Sequence, residues 1–288
     1  MKSRFIPSLI LACGLTLAGN IASATPIPDD SKIGNFAIGA QAWTFNNYTI
    51  MEAIDKTAAA GGKIIEFYPG QKLSPDSDVK FDHNSSDEVI AQVQTHLKEK
   101  GIRAVNYGVV GIPNNEAGAR KIFEFAKKLN LYAITTESVE SLDTIEKLVK
   151  EYDIRVGFHD HQRQDNNPNY KMWDPNYVLS VIKDRDSRIG SCADTGHWVQ
   201  SGLKPVDCLK ILDGHIISVH LHDMNEFSAH SHDVPAGTGV SDVPAILDEL
   251  KRQNFNGNIS IEYEYNWKNN VTDVAQSIGF MRGYQAAK

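Results

Sequence analysis

The stretches VGFHDHQ (156–162), SCADTGHW (191–198) and SVHLHDMN (218–225) are each a short apolar run that ends in side chains able to bind a metal. Successive residues of a strand face opposite sides, so Val219 and Leu221 share one face while His220 and His222 share the other. The same alternation sets Val156 and Phe158 against His159 and His161. In NISIEYE (258–264) it sets Ile259, Ile261 and Tyr263 against Glu262 and Glu264. A strand of an α/β barrel shows one face to its helices and the other to the lumen. The apolar sets are therefore expected outward, and the histidines and glutamates inward.

The remaining apolar runs end in the same manner. Gln41 and Trp43 close IGAQAW, Glu66 closes KIIEFY, Asn106 closes RAVNYG, Glu137 closes AITTES and Asp194 closes GSCADTG. Helical patterns alternate with these runs. In SSDEVIAQVQTHLKEKG (85–101), Ser85 and Glu88 resemble a capping box, Val89, Val93 and Leu97 make an apolar face, and Gly101 closes the helix. Eight strand–helix units can be counted between FAIGAQAW and NISIEYE. Strands spaced by helices in this way are parallel, and about eight of them close into a barrel. A doubly wound sheet would carry a Gly-rich phosphate loop after its first strand, where this chain has TFNNYT. The fold class read from the residues is a single-domain (β/α)₈ barrel. Its strand ends, and hence its active site, share one face.

Residues 1–24 read as an export signal: Lys2 and Arg4 at the start, an apolar run from Phe5 to Ile21, and the small-residue end Ala22-Ser23-Ala24. The alternative is a lipoprotein signal with Cys13 lipidated. Export implies a periplasmic or secreted protein, with no membrane attachment once the signal is removed. The barrel domain then covers 25–288, about 264 residues, enough for one large core. The net charge of −7 disfavours a general nucleic-acid or anionic-membrane surface. Cys192 reads as a lumen-facing strand residue and Cys208 as a helix residue, so both are expected as free, buried thiols. Assembly as a homo-oligomer is compatible with the sequence.

DTGHW, HLHD followed by HDVPAGTGVSDVPAIL, and NISIEYE together resemble the sugar phosphate isomerase/epimerase family, the xylose isomerase-like TIM barrels that also include endonuclease IV-type proteins (AP endonuclease family 2). The resemblance implies a divalent metal ion held by a fifth-strand carboxylate, the Asp of the DTxH strand, a seventh-strand histidine and an eighth-strand glutamate. Carried over by position, these are Asp194, His220 or His222, and Glu262. His220 is the favoured ligand of the pair, with His222 on substrate. The fifth-strand carboxylate is absent. His159 stands there, and Glu137 on the neighbouring strand could supply the missing charge, so the first ligand is His159 or Glu137. A mixed nitrogen and oxygen set suits Mn, Co, Zn or Fe.

Such a site can acidify a carbon beside a carbonyl. Glu262 is expected as ligand and base and His161 as a second catalytic group. Gln41, Trp43, His197 and His222 are expected to bind substrate. Trp43, Tyr68, Tyr107, Trp198 and Trp267 near strand ends could stack on sugar faces. No Arg/Lys cluster lies among the predicted catalytic loops, so the expected partner is an unphosphorylated small-molecule sugar, keto-sugar or glycoside. The reaction expected is isomerisation or epimerisation. Elimination from 3-keto-glycosides by a lyase or hydratase is the alternative. An endonuclease IV-like phosphodiesterase would need three metals, for which the second and third strands offer only Glu66 and Asn106. A non-catalytic sugar-binding barrel is the last alternative.

Overall fold

The computed structural model describes residues 26–288, so the export signal and Cys13 lie outside the described residues. Eight parallel strands close into a barrel: β1 (Ala37–Gln41), β2 (Ile64–Phe67), β3 (Arg103–Tyr107), β4 (Ala133–Thr136), β5 (Arg155–His159), β6 (Ile189–Asp194), β7 (Ile216–Leu221) and β8 (Asn258–Ile261). Each pairs with the next, and β8 pairs back to β1 through Ala37–Asn258 and Ala40–Ile261. A two-stranded antiparallel hairpin, Gln71–Lys72 with Lys80–Phe81, follows β2.

The helices are α1 (Ile50–Ala59), α2 (Asp87–Lys100), α3 (Glu116–Lys128), α4 (Leu142–Tyr152), α5 (Pro175–Ile182), α6 (Thr195–Gln200), α7 (Pro205–Ile211), α8 (Val243–Arg252) and α9 (Val271–Ala286). Their ends follow from local chemistry. Thr49 and Glu52 form a reciprocal capping box on α1. The start of α2 is a correction: its cap is Ser86, whose hydroxyl accepts from Val89 N. Ser85 Oγ instead accepts from Asp82 N at 3.0 Å, in the preceding turn. Gly101 closes α2 at φ +66°, a conformation a Cβ would disfavour.

Alternation along the strands sorts the residues as expected. Val156, Phe158, Val219, Leu221, Ile259, Ile261 and Tyr263 belong to the main buried apolar cluster beneath the helices. On α4, Leu142, Ile145, Leu148 and Val149 are buried against it at helical spacing, each contributing about 1.5–3 kcal/mol of burial. The lumen is polar. Glu66, Asn106, Thr135, Asn258 and Ser260 are fully buried there and bonded to one another. The register sets Asp194 beside His220, and His220 beside Ser260, two residues before Glu262. Cys192 and Cys208 are free and buried.

Candidate metal centre and active site

The DTGHW segment is shaped residue by residue to join two strand ends. Asp194 caps α6, its Oδ1 accepting from His197 N at 2.7 Å, which leaves Oδ2 for the lumen. Its own N–H is held by Asp160 Oδ1 at 2.8 Å. Thr195 Oγ1 donates to His222 O and accepts from His222 N, both at 2.8 Å, so α6 is locked to the chain just beyond β7. Gly196 admits the His222 ring, since a Cβ there would lie 2.7 Å from His222 Cγ. The HLHD and GTG motifs are one unit as well. Asp223 accepts from Gly237 N, Gly239 N and Ser241 N at 2.8–3.0 Å, which folds back the loop that carries Asp233.

One atom each from His159, Asp194, His220 and Glu262 lies within 4.8 Å of the other three, and among the described residues this is the one such group. His159 Nε2 is 3.4 Å and His220 Nδ1 3.8 Å from Asp194 Oδ2, and His220 Nδ1 is 2.8 Å from Glu262 Oε2. His222 Nε2 also approaches Asp194 Oδ2, at 3.3 Å. Buried Nε2 of His159, Nε2 of His222 and Oδ2 of Asp194 make no hydrogen bond, and His220 Nδ1 faces Glu262 Oε2 without the alignment of one. Each imidazole is braced from behind by a carboxylate: His159 Nδ1 by Glu137 at 3.0 Å, His220 Nε2 by Glu66 at 3.0 Å, His222 Nδ1 by Asp233 at 2.8 Å. A carboxylate behind a histidine, with the other ring nitrogen free, is the arrangement metal-binding histidines adopt.

Charge tells the same story. Burial opposes protonation of His159, His220 and His222, yet all three are pushed well above the ordinary imidazole value. Asp194 and Glu137 act on His159, Cys192, Glu66 and Glu262 on His220, and Asp194 and Asp233 on His222. Burial would raise Asp194 and Glu262, but the imidazoles around them hold both far below the usual carboxylate range. The site therefore attracts positive charge, and a divalent cation fits its two nitrogen and two oxygen donors.

The group opens into a cavity of about 390 Å³ lined by Gln41, Trp43, Tyr68, Pro69, Val109, Glu137, His159, His161, His197, Glu262 and Glu264. None of these is Lys or Arg. Trp43 is 39% exposed, bonds Glu264 through Nε1 at 2.7 Å, and meets Tyr68 edge-on at 5.0 Å. Gln41 lines the wall with Oε1 on Trp43 N and Nε2 on Gly108 O. The His161 and His197 rings lie 3.9 Å apart. Burial lowers His197 to about 4, so it is neutral, with Nδ1 on Gln200 Oε1 at 3.0 Å. Burial and then the charge of Glu262 push Glu264 up.

Of the residues singled out from sequence, Glu137 stands behind His159 and outside the four-atom group. His222 does not line the main cavity but a smaller adjoining one of about 90 Å³, with Asp233, His197 and Glu264. Tyr107 and Trp198 are corrections. Both are fully buried and cannot stack on a ligand. Trp267 lies in a separate groove with Tyr265. Glu66 and Asp233 were not assigned to the site from sequence. The signal for Glu66 was a glutamate inside an apolar strand. Asp233 had no local signal, because it reaches His222 only through the folded GTG loop.

The model of the xylose isomerase-like TIM barrel family matches residues 54–284. No curated protein matches the chain. Among solved structures, an uncharacterized protein from Parabacteroides distasonis is 33% identical over 86% of this chain and 99% of its own, with a TM-score of 0.69. A D-allulose 3-epimerase from Methylomonas sp. in complex with D-allulose is 15% identical, covering 86% and 96%, at 0.66. A probable 3-DHS dehydratase from Bacillus anthracis is 13% identical, covering 84% and 97%, at 0.60. The latter two share the fold. With the family model spanning most of the barrel, the chain belongs to the xylose isomerase-like TIM barrels.

Proposed function

We propose that the protein is an exported, divalent-metal-dependent isomerase or epimerase acting on an unphosphorylated sugar or keto-sugar. The observation that carries this reading is the His159–Asp194–His220–Glu262 group, whose facing atoms on His159, Asp194 and His220 make no hydrogen bond, opening into a cavity that has Trp43 and Tyr68 on its wall and no Lys or Arg. His159, Asp194, His220 and Glu262 would hold the ion. When bound, it would withdraw electrons from a substrate carbonyl and make the neighbouring C–H more acidic. Of the two carboxylates in the group, Glu262 is the one that lines the cavity, so it is the residue to take that proton. Neutral His197 can accept a substrate hydroxyl on Nε2, because its Nδ1–H is engaged by Gln200. His161, packed on His197, is the second group able to move a proton. Trp43, held by Glu264 and Tyr68, offers a ring face to the sugar. A phosphorylated substrate would find no Lys or Arg on the cavity wall to pair with its phosphate.

A second reading is elimination from a 3-keto-glycoside by the same proton abstraction. Glu264 favours it, as a second carboxyl on the cavity wall able to give a proton to a departing oxygen. Incubating the Mn²⁺-loaded protein with keto-sugars and a 3-keto-glucoside in D₂O separates the readings. Deuterium uptake without cleavage supports epimerisation, aglycone release supports elimination, and neither outcome on a panel of sugars sinks both.

A further inference from the structure

We propose that Glu66 is a positioning residue that reaches across the barrel to fix His220 for metal binding, an inference that rests on the metal-centre reading above. Glu66 lies on β2 and His220 on β7, strands that are not neighbours in the closed sheet, and both side chains are fully buried. Glu66 Oε1 receives His220 Nε2 at 3.0 Å and Thr135 Oγ1 at 3.1 Å. Oε2 receives Ser260 Oγ at 2.7 Å and Asn258 Nδ2 at 3.2 Å. Of these four partners only the imidazole can carry charge. A buried carboxylate with neutral partners is expensive, and a hydrophobic residue at this strand position would fill the lumen without that cost. What the carboxylate does that an apolar residue could not is dictate the ring. Thr135 Oγ1, Ser260 Oγ and Asn258 Nδ2 all donate to this carboxyl group, which takes Nε2–H of His220 in the same way. The nitrogen left to give up its proton to a metal ion is then Nδ1, the atom that faces Glu262 Oε2 at 2.8 Å and Asp194 Oδ2 at 3.8 Å. Glutamine has nearly the same shape but can present its own N–H₂ to Nε2, which releases the ring from that tautomer.

The test is titration of the full chain with Co²⁺ alone, followed by visible absorption, for wild type, Glu66→Gln and Ser260→Ala, with circular dichroism on each. Glu66→Gln is expected to bind Co²⁺ about 10–100-fold more weakly, with an altered ligand-field band. Ser260→Ala also removes a hydrogen bond from Glu66 but leaves His220 alone, and is expected to stay within about threefold of wild type. Equal affinity of Glu66→Gln and wild type overturns the proposal. So does equal weakening by both variants, which would mean a structural role only. Wild-type protein that binds no Co²⁺ refutes the metal centre itself. Should Glu66→Gln not fold, Glu66→Asp, which keeps the carboxyl group but draws it back from Nε2, takes its place: weaker Co²⁺ binding than Ser260→Ala supports the proposal, and wild-type affinity overturns it.

Discussion

Replacing Asp194 with Asn removes one negative charge and almost no volume. The amide oxygen can still accept from His197 N, so the cap on α6 survives. Alanine would remove the cap too, at about 1 kcal/mol. What Asn loses is the charge on Oδ2, toward which three imidazole nitrogens converge at 3.3–3.8 Å. Two unit charges about 4 Å apart, at an effective dielectric near 20, are worth about 4 kcal/mol, which is a floor for a divalent ion bonded to Oδ2. At roughly 1.4 kcal/mol per decade this is about a thousandfold in metal affinity. Calorimetric titration with Mn²⁺ should therefore show a loss of at least about two to three decades, with turnover abolished at metal concentrations that saturate wild type. The metal-free variant should also be less stable, by up to about 3–5 kcal/mol, because the buried imidazoles lose the carboxylate that faces them. Wild-type affinity in Asp194→Asn would refute the reasoning.

Chelation should abolish activity and lower Tm by about 5–10 °C relative to protein held at a hundredfold excess of metal over Kd, which corresponds to about 2.7 kcal/mol of linkage. Readdition of Mn²⁺ should restore both, and an unchanged melting curve would contradict the site. Glu137→Gln should weaken Mn²⁺ affinity about 10–100-fold by releasing His159 Nδ1, and Glu264→Gln by less than about threefold, so equal effects by calorimetry would reject the ordering. Trp43→Ala should raise KM about fivefold, for roughly 1 kcal/mol of lost stacking, with little change in Tm because the ring is 39% exposed. Protein recovered from the periplasm of an expressing cell should begin at Thr25 on N-terminal sequencing, whereas retention of Met1 would reject the export reading.

The barrel was legible because parallel strands covered by helices force an alternation visible in single residues: Val219 and Leu221 outward, His220 inward. It failed where more than one structure fits the same letters. Ser85 and Ser86 are equal as caps until the turn at Asp82 engages the first of them. Aromatics near strand ends pack inward or outward according to their helices, and so Tyr107 and Trp198 went to the core while Trp43 lines the cavity. At the site, parity set His159, His220 and Glu262 inward and the family resemblance added Asp194, and one atom of each lies within 4.8 Å of the others. What parity cannot give is which imidazole nitrogen faces that point, because this depends on carboxylates delivered from elsewhere: Glu66 across the lumen, Glu137 from the adjoining strand, and Asp233 from the loop folded around Asp223.

Anomalous diffraction from crystals soaked in Mn²⁺ tests the central claim most directly. The account predicts one strong peak per chain, bonded to His159 Nε2, Asp194 Oδ2, His220 Nδ1 and a Glu262 carboxylate oxygen. No peak at that point would contradict it, and three ions in the cavity would favour phosphodiester hydrolysis instead.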